Sequence, residues 1–284
     1  MIRLALALLS LPALAHAGTP SALWDDVVHP NRIRCISLVS DARHTLEART
    51  HVARLQAYPL LLEAIRLCPT SLPAYIMLGR ERTLDDDLVG GRAVLEKARA
   101  LSPDGDDGDP QLSFQLGFAR SSTGDLQGGL VEYRRAEAQG GLGSDEWLLQ
   151  YDLGDTLVAL GRLGEAIEAY RKATRLSSEV LPRYALAVAL ERDDQLERSS
   201  RELTAAMARD PQLQQLRSPR FSFLPAEEVH YYLYLVFDSR GQRVEARAEL
   251  ENFLHALPGS PYAGRARAHL RRLSDQTQPR PPVR

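Results

Sequence analysis

Between Leu153 and Leu176 the sequence LGDTLVALGRLGEAIEAYRKATRL places its apolar residues three and four apart in two short runs. That spacing predicts two amphipathic helices folded back on each other. Gly154 and Ala166 stand where the two helices need small side chains to let their axes approach. Gly161 separates the runs, at the point where a helix ending in a left-handed residue favours glycine. The constellation returns along the chain, and six copies can be counted. Thr45, Ala57, Leu61, Ala64 and Pro69 form the first, with a poorly marked first helix. Leu78, Gly79, Leu88, Gly91, Leu95, Ala98 and Pro103 form the second, and Leu116, Gly117, Gly124, Leu126, Gly129, Tyr133 and Ala136 the third. After the copy around Gly154 comes one with Leu186, Ala187, Leu190, Leu196, Ser199, Leu203, Ala206 and Pro211. Its serine in place of a small apolar residue predicts slightly looser packing. Leu233, Phe237, Gly241, Ala246, Leu250 and Pro258 form the last, where Tyr234 replaces the usual glycine or alanine.

Successive copies lie roughly 34 residues apart, and in period and small/large pattern the stretch from Leu38 to Pro258 resembles the tetratricopeptide repeat family. A hairpin of this length cannot bury its apolar face alone, so the copies must stack around a continuous core. The resemblance implies an all-α fold, a right-handed superhelical solenoid of about six hairpins closed by a capping helix. The corresponding division is a signal peptide at 1–17, a lead-in at 18–37, five repeats at 38–213, an insert at 214–226, a sixth repeat at 227–260, a capping helix at 261–273 and a disordered tail at 274–284. Arg265, Arg267, Arg271 and Arg272 are expected to keep the outside of the cap soluble.

In such a superhelix the first helix of each repeat lines the inner surface. Counting from the packing glycine, the groove positions are Ile76 and Arg80, Phe114 and Phe118, Tyr151 and Asp155, Tyr184 and Val188, and Tyr231 and Leu235. Aromatic and aliphatic residues dominate this stripe, which suits a segment of another protein. The alternative is that the tyrosines serve the repeat's own packing. The carboxylate clamp known in the family uses lysine, arginine and asparagine at these positions, and only Arg80 matches in character. The stretch QLQQLRSPRFSFLPAEE, Gln212 to Glu228, breaks the rhythm and is long for a connection. Its Phe221, Phe223 and Leu224 are expected to cover a gap between repeats five and six. The alternative is an exposed aromatic loop that engages a partner.

Composition narrows the function. With 44% hydrophobic residues and a net charge of −2, the chain can bury a sizeable core and offers no basic surface for nucleic acid. Met1, Ile2 and Arg3, the apolar run Leu4 to Leu14 and Ala15-His16-Ala17 read as a cleavable signal peptide cut before Gly18, too short to span a bilayer. The mature protein is therefore expected in the periplasm or secreted, with no transmembrane segment. Export makes a Cys35–Cys68 disulfide the expected state, since the two residues flank the first hairpin where antiparallel ends are neighbours. Closing that loop would contribute about 3 kcal/mol on the chain-entropy model. Two separately buried thiols are the alternative.

The sequence holds no GxSxG, HExxH, phosphate loop or dinucleotide fingerprint, so neither catalysis nor a cofactor is expected. The acidic run Asp104 to Asp109 lacks the distal glutamate of a calcium loop, with Gln115 at that position, and no metal is expected. It reads as a solvated connection, and Asp85 to Asp87 as a loop leading into a helix. The expectation is a non-catalytic scaffold or adaptor in a periplasmic or cell-envelope assembly, with a protein partner in the groove. A binding protein for a small apolar molecule or lipid is the alternative.

Overall fold

The computed structural model describes residues 30–102, 108–217 and 223–275. Among the described residues all regular structure is helical. The α-helices are α1 (Pro30–Leu46), α2 (His51–Leu67), α3 (Leu72–Leu84), α4 (Leu88–Leu101), α5 (Pro110–Ser122), α6 (Leu126–Gln139), α7 (Glu146–Ala159), α8 (Leu163–Leu176), α9 (Leu181–Arg192), α10 (Leu196–Arg209), α11 (Gln214–Arg217), α12 (Val229–Ser239), α13 (Arg243–Ala256) and α14 (Ala263–Asp275). Short 3₁₀ turns precede α7 and α12. The chain forms two compact units whose boundary falls within α3, between Met77 and Leu78. The signal peptide, its cleavage point, Asp104 to Asp107, Phe221 and the last nine residues of the tail lie outside the described residues.

In the first unit α1 and α2 pair as a hairpin, burying Cys35, Val39 and Ala42 against Ala53, Ala57, Leu61 and Ala64. α1 begins at Pro30, so the helix extends eight residues before the repeat boundary expected at Leu38. Its apolar spacing is weak, which is why the pattern does not show it. Thr50 caps α2 by accepting a hydrogen bond from the Ala53 amide at 3.1 Å.

The second unit is built from hairpins in sequence order, α5 with α6, α7 with α8, α9 with α10 and α12 with α13, and α14 packs on α13. The turn inside the hairpins repeats one device. In the α7–α8 turn Gly161 has φ of +73°, its amide donates to the Val158 carbonyl at 3.0 Å, and the Arg162 amide donates to the Leu157 carbonyl at 2.8 Å. This is the double hydrogen bond that closes a helix through one left-handed residue. Gly124 and Gly241 take the same place in their hairpins, while Asp86 and Asp194 take it without glycine, at φ of 64° and 58°. Aspartate tolerates that conformation better than most residues. Asp87, Asp109 and Asp125 then cap α4, α5 and α6 through amides of the first turn. Both acidic stretches thus begin helices.

Candidate interaction surface

The close approach that the small residues predict is present. A Cβ on Gly154 would lie 2.5 Å from Cδ1 of Tyr170, so the α8 ring packs directly on the α7 backbone. Leu95 covers Gly79, and Tyr133 covers Gly117, at the same interval in their copies. The fifth copy reaches the same contact by another route. Ser199 is buried and its hydroxyl donates to the Ala187 carbonyl at 2.7 Å, so serine fastens the hairpin instead of loosening it. In the sixth, Tyr234 is fully buried, packed edge-on against Tyr231 at 5.5 Å and against His269 of α14 at 5.2 Å. The larger residue there serves as a seat for the final helix.

The groove positions occupy the expected helices but not an open surface. Phe114, Tyr151, Asp155, Tyr184, Val188, Tyr231 and Leu235 of the second unit are buried, and Ile76 is buried in α3. Only Arg80, exposed, and Phe118, half-buried, reach solvent. Asp155 accepts a hydrogen bond from the Tyr170 hydroxyl at 2.7 Å, and Tyr231 donates to Glu191 at 2.7 Å. The phenols are held well above their ordinary range. For Tyr151 and Tyr170 burial is the chief cause and the Asp155 charge the next. For Tyr184 burial leads and Asp210 adds to it.

Helices α7 and α9 are covered on every side, from Leu149 to Val158 and from Tyr184 to Arg192. A helix that is covered all round belongs to a core. Two elements contribute, and a third lies on the neighbouring α5–α6 hairpin. From α12, Tyr232 is fully buried, with Asp155 adding to the effect of burial on its phenol. From the 3₁₀ turn, Glu228 pairs with Arg192 at 2.5 Å, both side chains almost entirely buried. The Arg192 guanidinium lies 4.5 Å from the Tyr231 ring centre and 3.7 Å from that of Tyr262. From the insert, Phe223 meets Phe118 edge-on at 5.3 Å and Tyr133 at 6.1 Å. The insert thus reaches the third repeat.

Solved structures share this architecture. The structure of Pseudomonas aeruginosa pilF matches with a TM-score of 0.58 at 14% identity, over 84% of this chain and 99% of that one. PilW, described as a type IV pilus biogenesis factor, matches at 0.57 and 11% identity, over 81% and 97%. The Cut9–Hcn1 assembly of the APC/C matches at 0.56 and 15%, over 89% of this chain and 45% of that one. Identities this low speak to the fold alone. Among protein families, the tetratricopeptide repeat matches residues 149–179, the α7–α8 hairpin and its flanks. The α7–α8 hairpin is thus similar to a tetratricopeptide repeat, and the chain shares the fold of the solved structures above. None of the curated proteins matches its sequence.

In the second unit several residues that the repeat pattern leaves anonymous hold the hairpins in line. Glu132 of α6, buried, accepts from Arg99 of α4 at 2.6 Å and pairs with Arg135 at 3.2 Å. Glu137 accepts from Lys172 and Arg134, each at 2.7 Å, and from Gln150 at 3.0 Å. Burial pushes the Glu137 carboxyl up, but those three hydrogen bonds together outweigh it and bring it to about 2. Glu191 accepts from Tyr231, Arg265 and His269, which joins α9 to α12 and α14. Arg265 is therefore a docking contact and not part of a solvated outer face, and Arg272 likewise pairs with Asp238 at 2.7 Å. Arg267 and Arg271 are exposed as expected.

The thiols of Cys35 and Cys68 are free, and each contacts a carbonyl across the first hairpin, of Ala64 at 3.5 Å and of Asn31 at 3.6 Å. Burial, then the neighbouring Cys35 thiol, pushes the Cys68 thiol up to about 11. The two residues are neighbours at one end of the hairpin, as its antiparallel course requires. Elsewhere, an open cleft of about 600 Å³ lies beside α11 and α12, lined by Leu213, Leu216, Val229, Leu233 and Phe237 with Arg217 and Arg240 at its edge. Among the described residues no three metal-binding side chains converge, and no helix is long and apolar enough to cross a membrane.

Proposed function

We propose that this protein is an exported, non-catalytic scaffold of a cell-envelope assembly and that its array receives a segment of another protein at the accessible margin of the aromatic inner face, around Phe118. Tetratricopeptide-repeat proteins bind protein partners, and PilW, a type IV pilus biogenesis factor, is a case of the same fold serving an assembly. The observation that carries the reading is half-buried Phe118, the accessible end of an aromatic row whose other members, Phe114, Tyr151, Tyr184 and Tyr231, are enclosed. Export rests on the N-terminal leader pattern and would favour oxidation of the Cys35–Cys68 pair. The test is crosslinking in cells followed by recovery from an envelope fraction, with wild type and Phe118→Ala in parallel. A protein partner recovered at stoichiometric yield, and reduced with Phe118→Ala, supports the reading. Recovery of the protein from the cytoplasm with no partner overturns it.

The cleft beside α12 favours a second reading. Its apolar lining and two arginines suit a small amphiphile with an anionic head. Native mass spectrometry that finds such a molecule bound stoichiometrically, with no protein partner, would select it.

A further inference from the structure

We infer that the inner face at Phe118 and Tyr133 is a site for an aromatic residue followed by an aliphatic one, and that the resting chain fills this site with its own Phe223 and Leu224. The inference rests on the interaction reading above and specifies what its partner must present. Phe223 stands 105 residues after Phe118 and 90 after Tyr133, so the contact owes nothing to local chain geometry. Its edge-on approach to Phe118 at 5.3 Å and tilted approach to Tyr133 at 6.1 Å are the arrangements that aromatic pairs favour. Leu224 is buried beside it in the same core, and the two residues lie in a bend that leads into Pro225.

Two features separate this contact from the rest of the core. Phe118 and Phe223 are half-buried, whereas Tyr151, Tyr184 and Tyr231 are fully enclosed, so the ring pair is at the accessible margin. The segment is also tied at both ends independently of Phe223. Upstream, Asp210 accepts from the Gln214 and Gln215 amides at 2.7 and 3.0 Å, and downstream Glu228 holds Arg192. A segment anchored on both sides acts as an intramolecular ligand at an effective concentration of about the millimolar range, which suppresses binding of any competing segment.

The test uses the full-length protein and a fluorescent peptide of residues 218–228. The peptide should bind the Phe223→Ala/Leu224→Ala double variant at least tenfold more tightly than wild type. A peptide with alanine at those two positions should not bind, and adding Phe118→Ala to the double variant should weaken binding at least tenfold. Equal affinity for the two proteins within twofold, or no binding to a variant with wild-type far-UV circular dichroism, overturns the inference. Should the variant fail to fold, hydrogen exchange on wild type with excess peptide decides. Faster exchange just after Phe223 together with slower exchange in α5 supports the site, and unchanged exchange overturns it. Partner recovery in cells without peptide binding would remove this inference and leave the scaffold reading standing, whereas absence of both would remove both.

Discussion

Replacing Gly154 with alanine tests the packing that defines the array, because local and tertiary effects have opposite signs there. Gly154 is helical, and in an isolated helix alanine would be better by about 1 kcal/mol. In the folded chain the new methyl would stand 2.5 Å from Cδ1 and 2.9 Å from Cζ of Tyr170. The ring cannot tip aside freely, since its hydroxyl is bonded to buried Asp155 at 2.7 Å. Overpacking of this kind costs about 1–3 kcal/mol, and weakening a hydrogen bond to a charged group costs about 1.5–3 kcal/mol. After the helix gain is subtracted, the expected net loss is about 1.5–5 kcal/mol, or a midpoint lower by roughly 3–20 °C for a unit of this size. Thermal and urea unfolding followed by circular dichroism measure it. Gly164→Ala is the control, with nothing within 4 Å of the added methyl, and should leave stability unchanged or raise it by up to about 1 kcal/mol. If Gly154→Ala proves as stable as wild type, the close approach of α7 and α8 described above is wrong.

Other outcomes follow from single contacts. Glu228→Gln leaves the Arg192 guanidinium buried without its charge partner and should destabilise by about 3–5 kcal/mol in urea unfolding. The folded-state value of Glu137 lies below its unfolded value, so its contribution is present above the ordinary carboxylate range and is lost as pH falls toward about 2. Stability profiles should therefore show less loss between about pH 5 and pH 2 in Glu137→Gln than in wild type. In reduced protein, a Cys68 thiol at about 11 is almost entirely un-ionised at pH 8. Its alkylation should be at least tenfold slower in native than in denatured chains, whereas peptide mapping under non-reducing conditions should find it paired with Cys35 in protein from an oxidising compartment.

The fold was legible because close packing of two helices admits few side chains, and those residues mark the sequence at a fixed interval. Gly79, Gly117 and Gly154 stand where the pattern places them, each beneath a large residue of the next helix. Turns marked by glycine could be read, while Asp86 and Asp194 adopt the same backbone with nothing in the pattern to announce it. Serine at 199 and tyrosine at 234 looked like weaknesses, because substitution patterns do not show that a hydroxyl can reach a carbonyl or that a ring can carry a later helix. The inner surface was half legible. Periodicity identifies which side chains face inward, but what lies against them depends on distant residues. Tyr232 and Glu228 lie against α7 and α9, and Phe223 against Phe118 of α5 and Tyr133 of α6, all from elsewhere in the chain. The insert was expected to bridge repeats five and six; its short helix α11 meets α12 of the sixth, while the ring of Phe223 reaches the third. Arg265 of α14 was read as solvating for a related reason, since its acidic partners lie in α9 and the turn after α9, whereas Arg267, Arg271 and Arg272 are exposed.

The account stands or falls on whether the inner aromatic row is sealed in the resting chain, and spectrophotometric titration of its tyrosines tests this most directly. Of ten tyrosines, eight are held above their ordinary range, with burial the leading cause for each of Tyr133, Tyr151, Tyr170, Tyr184, Tyr231, Tyr232, Tyr234 and Tyr262. Groups raised in the folded state hold their stabilising neutral form below the unfolded value near 10 and lose it as pH rises toward the folded value. The prediction is that these eight phenols stay neutral above the ordinary phenol range while helicity persists, and then ionise together as helicity is lost. A smooth titration of all ten near pH 10 with full helicity retained would show an open groove and contradict the account.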